Sequence, residues 1–116
     1  MKLPENWTDN DFRRALVEKC FIQAETWFRR ILKNPETIEV PESDESQETY
    51  LTRLEEALFD AFIRQAIATG ATAFFGHAKR IIERSLQKDQ HSARIKRLVD
   101  VTGVDYELIP ELPFTG

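Results

Sequence analysis

Residues 9–33 read DNDFRRALVEKCFIQAETWFRRILK, and the spacing of their apolar side chains decides the fold class. At about 100° per residue, Phe12, Leu16, Val17, Cys20, Phe21, Ala24, Trp27, Phe28, Ile31 and Leu32 fall in one arc of roughly 200°. Glu18, Lys19, Gln23, Glu25, Thr26, Arg29, Arg30 and Lys33 occupy the opposite arc. Thr8 or Asp9 can cap the start, where acids suit the positive end of the helix dipole. Arg29, Arg30 and Lys33 suit the other end, and Pro35 cannot continue a helix. The spacing therefore predicts one amphipathic helix over 9–33. Its apolar face is wider than a single partner helix covers, so it must lie between two others or be shared with a second subunit.

Outward from that helix, residues 34–47 hold two prolines and five acids and read as an acidic, flexible loop. Ser46, or else Thr49, opens a second helix through 68, with Leu51, Leu54, Leu58, Phe59, Phe62, Ile63 and Ala66 on one face. The small-residue stretch 66–76 admits either one helix over 46–88 or a break. Gly70, as the residue past a helix end, favours the break, with Thr72 capping the next helix. This third helix is predicted over 72–87, with Phe74, Phe75, Ala78, Ile81, Ile82 and Leu86 inward. A polar turn over 88–92 leads to a fourth helix, capped by Ser92 and stopped by Gly103. The tail 104–116 alternates apolar and acidic residues and carries two prolines. It is predicted to lie extended, either against the helices or as a recognition peptide.

At 116 residues, 41% apolar and 31% charged, the chain is expected to form a single helical domain over 1–116. No apolar run approaches the ~20 residues that span a bilayer. The start, MKLPENW, has no apolar core of signal-peptide length, so a cytoplasmic protein is expected. One cysteine excludes an internal disulfide and a Cys-based zinc site; Cys20, in the middle of the apolar arc, reads as a buried inert thiol. The net charge of −4 is unevenly spread. Residues 34–60 carry nine acids and one base, whereas 61–100 carry eight bases and three acids.

The sequence carries no phosphate loop, nucleophile elbow, HExxH or calcium loop. His77 and His91 lie fourteen positions apart and read as a helix-edge and a turn histidine. Glu55, Glu56 and Asp60 lack the inward Glu-x-x-His spacing of a di-iron bundle. Glu55 does project near the apolar face. No catalytic residue, cofactor or metal site is expected, and the chain reads as non-enzymatic.

Two surface features remain. Lys79, Arg80, Arg84, Lys88, Arg94, Lys96 and Arg97, with His91, could form a basic ridge that tracks a phosphate backbone. The same bases could instead answer the acidic segment, and no exposed aromatic is interleaved for base stacking. Residues 95–109, IKRLVDVTGVDYELI, superficially resemble a helix-turn-helix. However, Val99 stands where that motif wants alanine, Asp105 and Glu107 would face phosphates, and Pro110 cuts the second helix short. That motif is rejected.

The expectation is thus an all-α bundle of about four helices, acting as an accessory or regulatory module that binds a protein partner or its own copy as a homo-oligomer. Trp7, Trp27, Phe28, Tyr106, Leu112 and Phe114 are the expected protein-interface residues, being more aromatic and apolar bulk than a small bundle needs. The alternative is a nucleic-acid-binding accessory protein using the ridge at 79–97.

Overall fold

In the computed structural model, which describes residues 7–34, 46–85 and 87–110, residues 9–33 form two helices rather than one. Helix α1 runs Asp9–Val17 and α2 Phe21–Lys33. Three more follow: α3 over Gln47–Thr69, α4 over Ala73–Glu83 and α5 over His91–Thr102. Short 3-10 turns occupy Lys88–Gln90 and Tyr106–Leu108. The chain is all-helical among the described residues, with five α-helices instead of about four. It forms two compact units, one ending at Leu58 and the other beginning at Phe59, inside α3.

The break after α1 is a Schellman closure built without glycine. The Lys19 N–H bonds the Leu16 carbonyl at 3.3 Å, and the Cys20 N–H bonds the Ala15 carbonyl at 2.8 Å. Lys19 takes the left-handed conformation this motif demands, φ 65°. The over-wide apolar arc is resolved by this turn, because α1 folds back on α2 and each helix then needs only a narrow stripe. Phe12, fully buried, meets the Trp27 ring at 5.2 Å and the Phe28 ring at 6.4 Å between centroids. The Trp27 indole N–H donates to the Trp7 carbonyl at 3.1 Å. Lys19→Gly is expected to stabilise the protein by about 0.5–1 kcal/mol, since glycine meets no steric penalty there; a urea midpoint would measure it, and a loss would mean the turn is not left-handed in solution.

The fold-back corrects several sequence expectations. Glu25, placed on the wet arc, is fully buried, and its carboxylate accepts bonds from Arg29 Nε and Nη2 at 3.1 and 3.0 Å. Val17, placed on the apolar arc, is 81% exposed. Cys20 is half-buried at the turn instead of sealed in a core.

The remaining boundaries follow local chemistry. Thr8 precedes α1, and Asp11 accepts bonds from its backbone N–H and its hydroxyl, at 2.9 and 3.1 Å. Ser46 caps α3 by accepting the Thr49 N–H at 3.1 Å. The chain does break at Gly70, whose N–H closes on Ala66 at φ 71°, and Gly103 ends α5 the same way on Val99 at φ 69°. Thr72 precedes α4 but makes no side-chain cap. Helix α4 stops earlier than predicted: the Ser85 hydroxyl accepts the Gln87 N–H at 3.0 Å and an Arg94 N–H at 3.2 Å, a local alternative to helical bonding. Ser92 lies inside α5, which starts at His91, so it is not the cap. The acidic loop predicted over 34–47 lies, apart from its ends, outside the described residues, as do Leu112 and Phe114.

In the unit ending at Leu58, Phe12, Ala24, Trp27, Phe28, Tyr50, Leu54 and Leu58 are buried. In the other, Phe59, Phe62, Ile63, Ala66, Ala78, Ile81, Ile82, Leu98 and Ile109 form the core.

Candidate functional site

The expected basic ridge is taken apart by burial. Arg80 is fully buried rather than outward, and one of its N–H groups donates to His77 Nδ1 at 2.8 Å. That acceptor role places the neutral ring's proton on Nε2. His77 in turn stacks on Phe62, with centroids 5.1 Å apart. Arg94, also expected outside, is 3% exposed and bonded to Ser85. The two helical faces carry guanidiniums inward because long arginine stems fill apolar space while their heads find acceptors.

Lys96 and Arg97 have partners of their own. Lys96 pairs with Asp100 at 2.7 Å, both exposed. Arg97 pairs with Asp60, which also holds Arg64, and its guanidinium lies 5.6 Å from the Phe59 ring centre. Arg84 and Lys88 are exposed. Burial pushes the Asp60 carboxyl up, but hydrogen bonds from Arg97 and Arg64 outweigh this and hold it below its ordinary value of 3.8. A carboxylate lowered in the fold stabilises above its unfolded pKa, and that contribution is lost as pH falls through the folded value. Asp60→Asn should therefore cost roughly 1 kcal/mol at about pH 7, the value suiting a partly exposed pair, and almost nothing at about pH 2. Urea midpoints at the two pH values measure this; a pH-independent loss would locate the effect in packing.

Lys79 shows what the sequence-predicted cations do instead of facing a ligand. Its ammonium donates to the carbonyls of Tyr106 and Ile109, at 3.0 and 2.6 Å, and lies 4.7 Å from the Tyr106 ring centre. The Tyr106 hydroxyl donates to Glu83 at 2.6 Å. Together these staple the chain after α5 onto α4, and Tyr106–Leu108 is a tight 3-10 turn within the tail expected to lie extended.

That staple builds a groove. Thr72 and Phe75 from the start of α4, Thr102 at the end of α5, and Val104, Leu108, Ile109 and Pro110 beyond it enclose about 200 Å³, mostly apolar. Gly103 turns the chain, and Thr102 Oγ1 holds the Val104 N–H at 3.2 Å. Ile109 is buried beneath, while Leu108 is 72% and Val104 40% exposed. Asp105 and Glu107, both exposed, alternate with them in the same turn. The groove is thus mostly apolar, with two exposed acids next to its lining residues in the chain. Its tail residues carry a sequence signal, the alternation of apolar and acidic side chains. Phe75 and Thr72 carry none, because their part depends on where the tail returns.

Of the expected interface aromatics, Trp27 and Phe28 are each 2% exposed, enclosed by the fold-back of α1. Trp7 and Tyr106 are half-buried. Among the described residues no group of three or more His, Cys, Asp or Glu side chains is placed to hold a metal ion, and no helix is long and apolar enough to cross a membrane.

The chain matches no protein-family model, no curated protein and no solved structure.

Proposed function

We propose that this protein is a non-enzymatic helical interaction module, an accessory or regulatory protein of the cytoplasm. It receives an apolar segment of a protein partner, its own copy included, in the groove between Phe75 and Leu108. The observation that carries this is Leu108, a large aliphatic side chain 72% exposed at the edge of a preformed apolar cleft. Single exposed apolar residues are ordinary; one bordering a concave apolar floor with charged neighbours is the arrangement of a binding groove.

The nucleic-acid alternative has weaker support, because Arg80 and Arg94 are buried and Lys79, Lys96 and Arg97 are bonded within the chain. Labelled single- and double-stranded oligonucleotides should show no tight binding at physiological salt. The groove is tested by selecting displayed random peptides on the protein, with Leu108→Glu as counter-selection. Apolar peptides enriched on the wild type and lost on the variant are expected. Enrichment indifferent to Leu108 would place the contact elsewhere.

A further inference from the structure

The groove has a complement on the chain itself. Val17, 81% exposed, is the most exposed large apolar side chain among the described residues. Arg13 and Arg14 lie four and three positions before it, hence on the same face of α1, and all three are exposed. Asp11 approaches Arg14 only at 3.9 Å, with Arg14 67% exposed. Glu18 follows, exposed, then Lys19, exposed, at the left-handed turn, and Ile22 beyond is 40% exposed. The end of α1 is therefore an aliphatic knob whose rim, Arg13, Arg14, Glu18 and Lys19, is net basic. The groove is a mostly apolar cleft, and the exposed acids Asp105 and Glu107 adjoin its lining residues Val104 and Leu108 in the chain.

We infer that the occupant of the groove is a second copy of this chain, which inserts the Val17 end of its α1 and sets Arg13, Arg14 and Lys19 against Asp105 and Glu107. This rests on reading the groove as a docking surface. Charge selects the arrangement. Groove against groove would bring two pairs of acids together, and knob against knob two net basic rims, whereas knob into groove pairs opposite signs. Such a contact joins two different patches, so the smallest closed assembly is a reciprocal pair, knob into groove twice. Short of such closure, each added copy leaves one knob and one groove unused, and assembly continues until a larger ring closes or the protein is depleted.

The test measures mass by light scattering or sedimentation from about 10 μM to about 1 mM, the range of weak contacts, at low and high salt. The wild type should rise above the monomer mass with concentration and fall back as salt screens the charges. Val17→Glu and Leu108→Glu each remove one half of the contact and should be monomeric. Both positions are mostly exposed, so helicity and melting temperature should be unchanged. Mixed one to one, the two variants should form a dimer that grows no further, because one intact knob meets one intact groove. A wild type that stays monomeric, a Val17→Glu protein that assembles like the wild type, or a mixture that stays monomeric each overturns the second-copy occupant. Leu108-dependent peptides from the display selection would then keep the groove as a docking surface for another protein; their absence too would remove the groove itself.

Discussion

Phe28→Ala is expected to lower stability by about 3–5 kcal/mol, the range for deleting a fully buried phenylalanine. Phe28 is 2% exposed and its ring lies 6.4 Å from that of Phe12, the residue through which α1 folds onto α2. Removing the ring leaves a cavity beside Phe12 in the packing of α1 on α2. Chemical unfolding should show a lower midpoint, and any self-association should persist in the folded fraction. The opposite result, a stable protein that no longer associates, would assign Phe28 to an interface, the role its place on the apolar arc suggests.

Arg80→Ala should rank next, with a loss of about 2–4 kcal/mol. The side chain is fully buried in α4, so truncation leaves both a cavity and the Nδ1 of His77 without its donor. His77 is half-buried, so loss of this donor adds a smaller term to the cavity left by the fully buried arginine stem. Urea unfolding with an unchanged slope and a lower midpoint is the expected record. A loss below about 1 kcal/mol, in the range of surface substitutions, would mean that Arg80 reaches water. The same variant separates the structural arginine from a ligand-facing one, since it should leave oligonucleotide behaviour as it is in the wild type.

Both substitutions touch places where sequence and structure part. Arg80 and Arg94 read as outward because charged residues on a helix usually are. Their burial depends on Phe62 and His77 in one case and Ser85 in the other, residues brought alongside only by the packing of that unit. Helical spacing reports which face a residue occupies, and it is silent on whether a cation's acceptors wait at the boundary of that face. The same holds for Glu25, which Arg29 accompanies into the interior.

What the sequence determined by itself is what local physics controls: helical class from the 3.6-residue period, the Ser46 cap from its hydroxyl, and the ends at Gly70 and Gly103 from glycine's freedom at positive φ. Tertiary structure alone decided the turn at Lys19, where a residue with no turn preference takes a left-handed conformation so that Phe12 can reach Trp27 and Phe28. It also decided the groove, which exists because Lys79 captures two carbonyls some thirty residues further along the chain. Neither is written in a window of neighbouring residues, since burial of distant apolar rings and satisfaction of a distant ammonium are what stabilise them.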